Sequence, residues 1–134
     1  MVILDTNAIL RYILQDNPIM VAEVKTQLLS ENCFIPVEVV AEIVYVLSKV
    51  YSVERDVIAT TLTNIANVGN ITVAQNNVVL HALQVYASTT LDFVDCLLIG
   101  YAKKDGYAIF TFDKKLRKAL EEKTNIATFM PLKP

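Results

Sequence analysis

Short, unbroken apolar runs alternate with longer stretches of helical periodicity along the whole chain. Val2-Ile3-Leu4, Cys33-Phe34-Ile35, Ile71-Thr72-Val73, residues 107–112 and residues 126–129 are too short for helices. Runs of this kind mark strands buried on both faces. Residues 8–15, 19–30, 37–51, 54–68, 77–87, 92–104 and 114–122 carry apolar side chains near helical spacing and are predicted as helices. Thr6 and Asn7 suit the N-cap of the first, Ser52 that of the fourth, and Gly106 the C-cap of the sixth. Strands separated by helical crossovers pair in parallel. The expected fold is therefore α/β: a three-layer open sheet of about four to five mostly parallel strands with helices on both faces.

At 134 residues the chain has room for one core, so a single domain over 1–134 is expected. Hydrophobic residues at 54% against 19% charged exclude a disordered chain, and 3 glycines with 4 prolines exclude a low-complexity one. Residues 57–91 lack formal charge, but Thr, Asn and Gln interrupt them too often for a lipid-facing span. The opening Met1-Val-Ile-Leu-Asp5 has no basic leader, so export is not expected. Cys33 and Cys96 form no Cys-x-x-Cys pair, and the expectation is a cytoplasmic protein with both thiols reduced.

Chemistry-bearing residues fall where an open sheet builds its sites, beyond the carboxyl ends of strands. Asp5 directly follows one strand and Asp113 another, although each also precedes a helix and could simply cap it. Glu42 lies opposite the Val40/Ile43/Val44/Leu47 stripe, with Tyr45 and Val46 beside it. A helix this apolar all round is expected to be covered on both sides, leaving Glu42 in need of a partner. Asp92 reads as an N-cap, with Asp95 completing a variant of the capping box. Asp95 shares its side of the helix with Cys96, Ile99 and Ala102, which points it inward. Four acids converging on one edge repel one another and cannot all ionise unaided. A divalent cation resolves that conflict. An all-oxygen donor set favours Mg²⁺ or Mn²⁺ over zinc, and such centres act on phosphate esters.

Ile3-Leu4-Asp5-Thr6-Asn7, Val40-Ala41-Glu42-Ile43, Leu91-Asp92-Phe93-Val94-Asp95-Cys96 and Ile109-Phe110-Thr111-Phe112-Asp113 occur in that order across nearly the whole chain. Together they resemble the PIN domain, a family of metal-dependent nucleases, and most closely its VapC-type toxins. The resemblance implies a PIN-like fold with Asp5, Glu42, Asp95 and Asp113 as catalytic, metal-holding acids. Thr6 or Asn7 and Thr111 would orient carboxylates or water, with Asp92 a cap or auxiliary ligand. It further implies an endoribonuclease acting on RNA, a homodimer, and a cognate antitoxin covering the acidic groove. Family members often carry an aromatic three residues after the last acid; here Leu116 stands there.

Charge distribution bears on the substrate. Residues 1–100 carry a net −6 and residues 101–134 a net +4, with Lys114, Lys115, Arg117 and Lys118 directly after Asp113. That cluster suits a polyanion lying beside an acidic pocket, or else a solvated helix face. His81, the only histidine, has Val78 and Val85 at helical spacing and reads as structural. Tyr12, Tyr45, Tyr86 and Tyr101 read as core or interface residues. No glycine-rich phosphate loop is present, against an NTPase. Two alternatives compete with the nuclease. One is a metal-dependent phosphatase or phosphotransfer protein with Asp5 as nucleophile; haloacid dehalogenase-like enzymes place a second Asp two residues on, where this chain has Asn7. The other is a catalytically silent PIN scaffold that binds protein.

Overall fold

The structure, a computed structural model, describes residues 1–123 and 129–130. Contacts divide the chain into two compact units, Met1–Asn76 and Asn77–Pro134. In chain order the first unit contains β1 (Val2–Ile3), α1 (Thr6–Leu14), α2 (Pro18–Ser30), β2 (Cys33–Ile35), α3 (Val37–Lys49), α4 (Arg55–Ala66) and β3 (Ile71–Val73). The second contains α5 (Asn76–Ser88, whose first residue closes the first unit), α6 (Phe93–Asp105), β4 (Ile109–Phe110), α7 (Lys114–Lys123) and β5 (Phe129–Met130). The fold is α/β and every strand pair is parallel, as the alternation in the sequence requires. The expected strands are hydrogen-bonded as a set of three, ordered β1-β2-β3, and as the pair β4-β5.

In the first unit β2 is the central strand, with Cys33 and Ile35 both buried. Asn70 ties it in place: its side-chain amide donates to the carbonyl of Leu28 and, at 3.0 Å, to that of Glu31. Burial pushes the Cys33 thiol up, the nearby Glu31 charge adding to the effect, so this is a packed and unreactive sulfur. Helix α3 buries Val40, Ile43, Val44 and Leu47 and packs on α1 and α4.

Several expectations about element ends need correction. The first helix is capped by Asp5, not by Thr6 or Asn7: Asp5 Oδ1 accepts from the backbone N–H of Ala8 at 2.9 Å. A carboxylate directly before the helix reaches the free first-turn amides and complements their positive end. The fourth helix is capped at Glu54, whose side chain makes no capping bond, and not at Ser52, which lies in the left-handed region at φ 53°. Of the strand expected over 107–112, Ile109–Phe110 are in β4, and among the described residues they pair with Phe129–Met130. Of the strand expected over 126–129, residues 126–128 lie outside the described residues.

The second unit turns on a close approach. Gly100 of α6 faces the backbone of α5, and a Cβ there would stand 2.7 Å from the Val78 carbonyl oxygen. Tyr86 of α5 and Phe93 of α6 meet edge-to-face, centroids 5.9 Å apart. Gly106 ends α6 at φ 75°, the conformation expected of a glycine C-cap. Leu116 and Leu120 bury α7 against α6, so the leucine that departs from the family pattern is a core residue.

His81 is structural as expected, and it carries a pH cost. Its Nε2 is buried with no hydrogen-bond partner among the described residues. Burial lowers its pKa, and Lys104 and Lys103 lower it further. A histidine held neutral in the fold gains a proton more readily when unfolded. Its contribution is intact above the unfolded value, about 6.5, and is lost as pH falls through the lowered folded value. Acidifying from about pH 7 to about pH 5 is expected to lower the melting temperature of the wild type more than that of His81→Gln. Parallel melting curves for the two would show that His81 does not titrate in this window.

Candidate metal and nucleic-acid site

The candidate acids fall in both units. In the first, Asp5 caps α1 through Oδ1, which leaves its second carboxylate oxygen outside that bond. Thr6 is half-buried and Asn7 exposed at the start of the same helix. Glu42 lies mid-way along α3, which packs on α1. Its side of the helix is not covered as expected: Glu42 is exposed and Tyr45 is 63% exposed. The α3 sequence is apolar on two sides, but only Val40, Ile43, Val44 and Leu47 are fully buried and Val46 is half-buried, so Glu42 stays exposed and needs no buried partner.

Asp5 also borders a hollow of about 530 Å³ formed by β1, α1 and α2, and Glu23 of α2 lines it too. Glu23 had no motif to mark it in the sequence; only the packing of α2 on α1 brings this carboxylate to the same hollow.

In the second unit Asp92 and Asp113 act on Asp95 through their charge. Asp92 occupies the N-cap position of α6 but makes no capping hydrogen bond, contrary to the capping-box reading. Asp95, in the first turn, is half-buried beside the fully buried Cys96 and Ile99, as the helical stripe implied. Its carboxyl is raised above the usual range, first by burial and then by the charges of Asp113 and Asp92; Lys115 acts in the opposite direction. Asp113 Oδ1 accepts from the Leu116 N–H at 2.8 Å, and the Asp113 N–H donates to Thr111 Oγ1 at 3.0 Å. Thr111 thus holds the backbone of the loop that presents Asp113.

The basic residues after Asp113 lie on α7. Lys114, Lys115 and Lys118 are exposed and Arg117 is half-buried. Lys115 Nζ donates to the Thr90 carbonyl at 3.3 Å, which fixes its ammonium beside the start of α6. Sequence reading missed this second task of Lys115 as counter-charge to Asp95, because Thr90 is 25 residues away and contributes a backbone atom.

Among the described residues no group of three or more His, Cys, Asp or Glu stands ready to hold a metal ion. The chemistry of the donors is nonetheless informative. Burial first, and then the charges of Asp113 and Asp92, disfavour ionisation of Asp95, with Lys115 in opposition. Oxygen-only donors under mutual repulsion suit a hard divalent cation and do not suit zinc. Among the described residues no helix is long and apolar enough to cross a membrane.

Comparison with known proteins adds one finding. The family model described as PIN domain matches residues 2–121. No curated protein and no solved structure matches the chain.

Proposed function

The chain belongs to the PIN domain family, and from that premise we propose that it is a Mg²⁺- or Mn²⁺-dependent endoribonuclease, the toxin of a toxin–antitoxin pair. PIN domains are in general metal-dependent nucleases. The observation that carries the reading is the reach of the match, since residues 2–121 take in all four acidic blocks. We read 1–134 as one cytoplasmic PIN-like domain that works as a homodimer and is silenced by an antitoxin protein.

In this reading Asp5, Glu42, Asp95 and Asp113 hold the cation, with Asp92 auxiliary. When bound, the cation supplies activation of water and neutralisation of charge on the phosphodiester. The remaining work belongs to the chain. Asp5 and Asp113 are oriented by the helix-start amides they accept from. Thr6 and Asn7 lie beside Asp5, and Thr111 steadies the Asp113 loop. Lys114, Lys115, Arg117 and Lys118 attract and orient the RNA backbone.

Purified protein is expected to cut single-stranded RNA in Mg²⁺, to stop in EDTA and to resume with added Mn²⁺. Induced expression is expected to arrest growth, and Asp5→Asn to relieve the arrest. Asparagine is a good N-cap, so this variant keeps the Ala8 bond and the fold. Full activity in Asp5→Asn, or cleavage indifferent to EDTA, overturns the assignment. Lys114→Ala with Lys115→Ala is expected to reduce the slope of log affinity against log salt by about 0.7 for each phosphate no longer neutralised. An unchanged slope would mark the cluster as a solvated face.

A further inference from the structure

Phe110 and Phe112 are 56% and 69% exposed, although large aromatic side chains gain most from burial. Their rings meet edge-to-face, centroids 5.6 Å apart and planes at 90°. Strand periodicity explains the pairing: Ile109 is buried and Phe110 exposed, Thr111 half-buried and Phe112 exposed. Directly after them come Asp113 and the exposed lysines 114, 115 and 118. Exposed rings next to cations are what single-stranded nucleic acid requires, because the rings stack on bases of any identity while the cations meet phosphates. A second copy of the chain suits this surface less well. A two-fold contact across the rings would bring each copy's lysines toward the other's and strip water from like charges.

We propose that Phe110 and Phe112 form a stacking platform for a base of single-stranded RNA flanking the phosphodiester that is cut. The inference rests on the ribonuclease reading and extends it to how substrate is gripped. Phe112 adjoins Asp113 in the chain, so a base on its ring places the neighbouring phosphate toward that carboxylate. Lys114 and Lys115 follow within reach of the next phosphates. Stacking does not read base edges, so the platform grips the strand without selecting sequence.

The chain contains no tryptophan, so Phe112→Trp installs a single tryptophan whose emission can be excited apart from that of the tyrosines. In an Asp5→Asn background that binds without cutting, its emission is expected to be quenched by a short oligoadenylate and not by an abasic ribose-phosphate strand of equal length. Phe110→Ala and Phe112→Ala are each expected to weaken oligoadenylate binding about 5-fold to 150-fold and to leave abasic binding unchanged. Phe112→Leu keeps apolar bulk without a π-face and should behave as the alanine variant does, whereas Phe112→Trp retains affinity. In the active chain the alanine variants raise KM more than they lower kcat. Equal quenching by both strands, or full affinity in Phe112→Leu, overturns the platform. So does an unchanged RNA affinity in Phe112→Ala with loss of a dimer in sedimentation, which would assign the rings to a protein interface. If the unaltered chain cuts no RNA, the ribonuclease reading fails and the platform with it; if it cuts and the phenylalanine variants match it, only the platform fails.

Discussion

Asp95→Asn is expected to lower metal-dependent RNA cleavage by about 10³-fold or more while making the metal-free protein more stable at neutral pH. The first effect follows if Asp95 helps to hold the cation, since losing about 4 kcal/mol of transition-state stabilisation is about 10³ in rate. The second follows from its surroundings. Burial, and after it the charges of Asp113 and Asp92, raise the Asp95 carboxyl, while Lys115 only partly offsets them. A carboxyl raised in the fold holds its proton longer folded than unfolded. The associated cost is absent below the unfolded value near 4, grows as pH rises above it, and is complete once pH has passed the raised folded value. The variant's melting temperature should therefore exceed the wild type's at about pH 7, and the gap should close toward about pH 4. Added Mg²⁺ should raise the melting temperature of the wild type and leave that of the variant nearly unchanged. A fully active variant, or one that gains nothing at neutral pH, would show that Asp95 belongs to no charged centre.

The second large effect is on stability. Gly100→Ala places a Cβ 2.7 Å from the Val78 carbonyl oxygen and 3.0 Å from a Val78 methyl. The oxygen is backbone, so α5 or α6 must shift. Alanine gains about 1 kcal/mol over glycine in helix propensity, but forced overpacking costs about 1–3 kcal/mol. The expected outcome is a net loss in chemical denaturation, deepening to failure to fold for Gly100→Val. Gly69 provides the control: nothing stands within 4 Å of a Cβ there, so Gly69→Ala should be nearly neutral. Equal stability of the two alanine variants would mean that α5 and α6 are not held at this distance.

Gly100 also shows where sequence reading stops. Within a helical stretch it looks like a mild local flaw. Its purpose depends on Val78, 22 positions earlier, whose carbonyl no side-chain pattern reveals. The same division runs through the site. Asp5 and Asp113 were legible because the end of an apolar run and the start of a helical one are both local signals, and each acid caps the helix that follows it. Asp95 was legible because Cys96 and Ile99 share its stripe, and it is half-buried as that stripe implied. The capping box failed at Asp92, whose side chain makes no such bond and instead adds charge beside Asp95. The cover expected over Glu42 failed because an apolar second face on α3 says what could be buried, not whether anything packs there.

The strands make the distinction sharpest. Residues 33–35 and 71–73 were expected as strands and are strands, each with buried side chains at both ends. Residues 107–112 have equal β character, yet among the described residues only Ile109–Phe110 pair, and the rings of Phe110 and Phe112 are left facing water. Periodicity, capping chemistry and charge order are written into neighbouring residues, so the sequence alone determined the element order, the parallel α/β class and the acids worth testing. How far a strand extends, which helix face finds cover and which carboxylates feel one another depend on atoms distant in the chain. Only packing in three dimensions sets those distances.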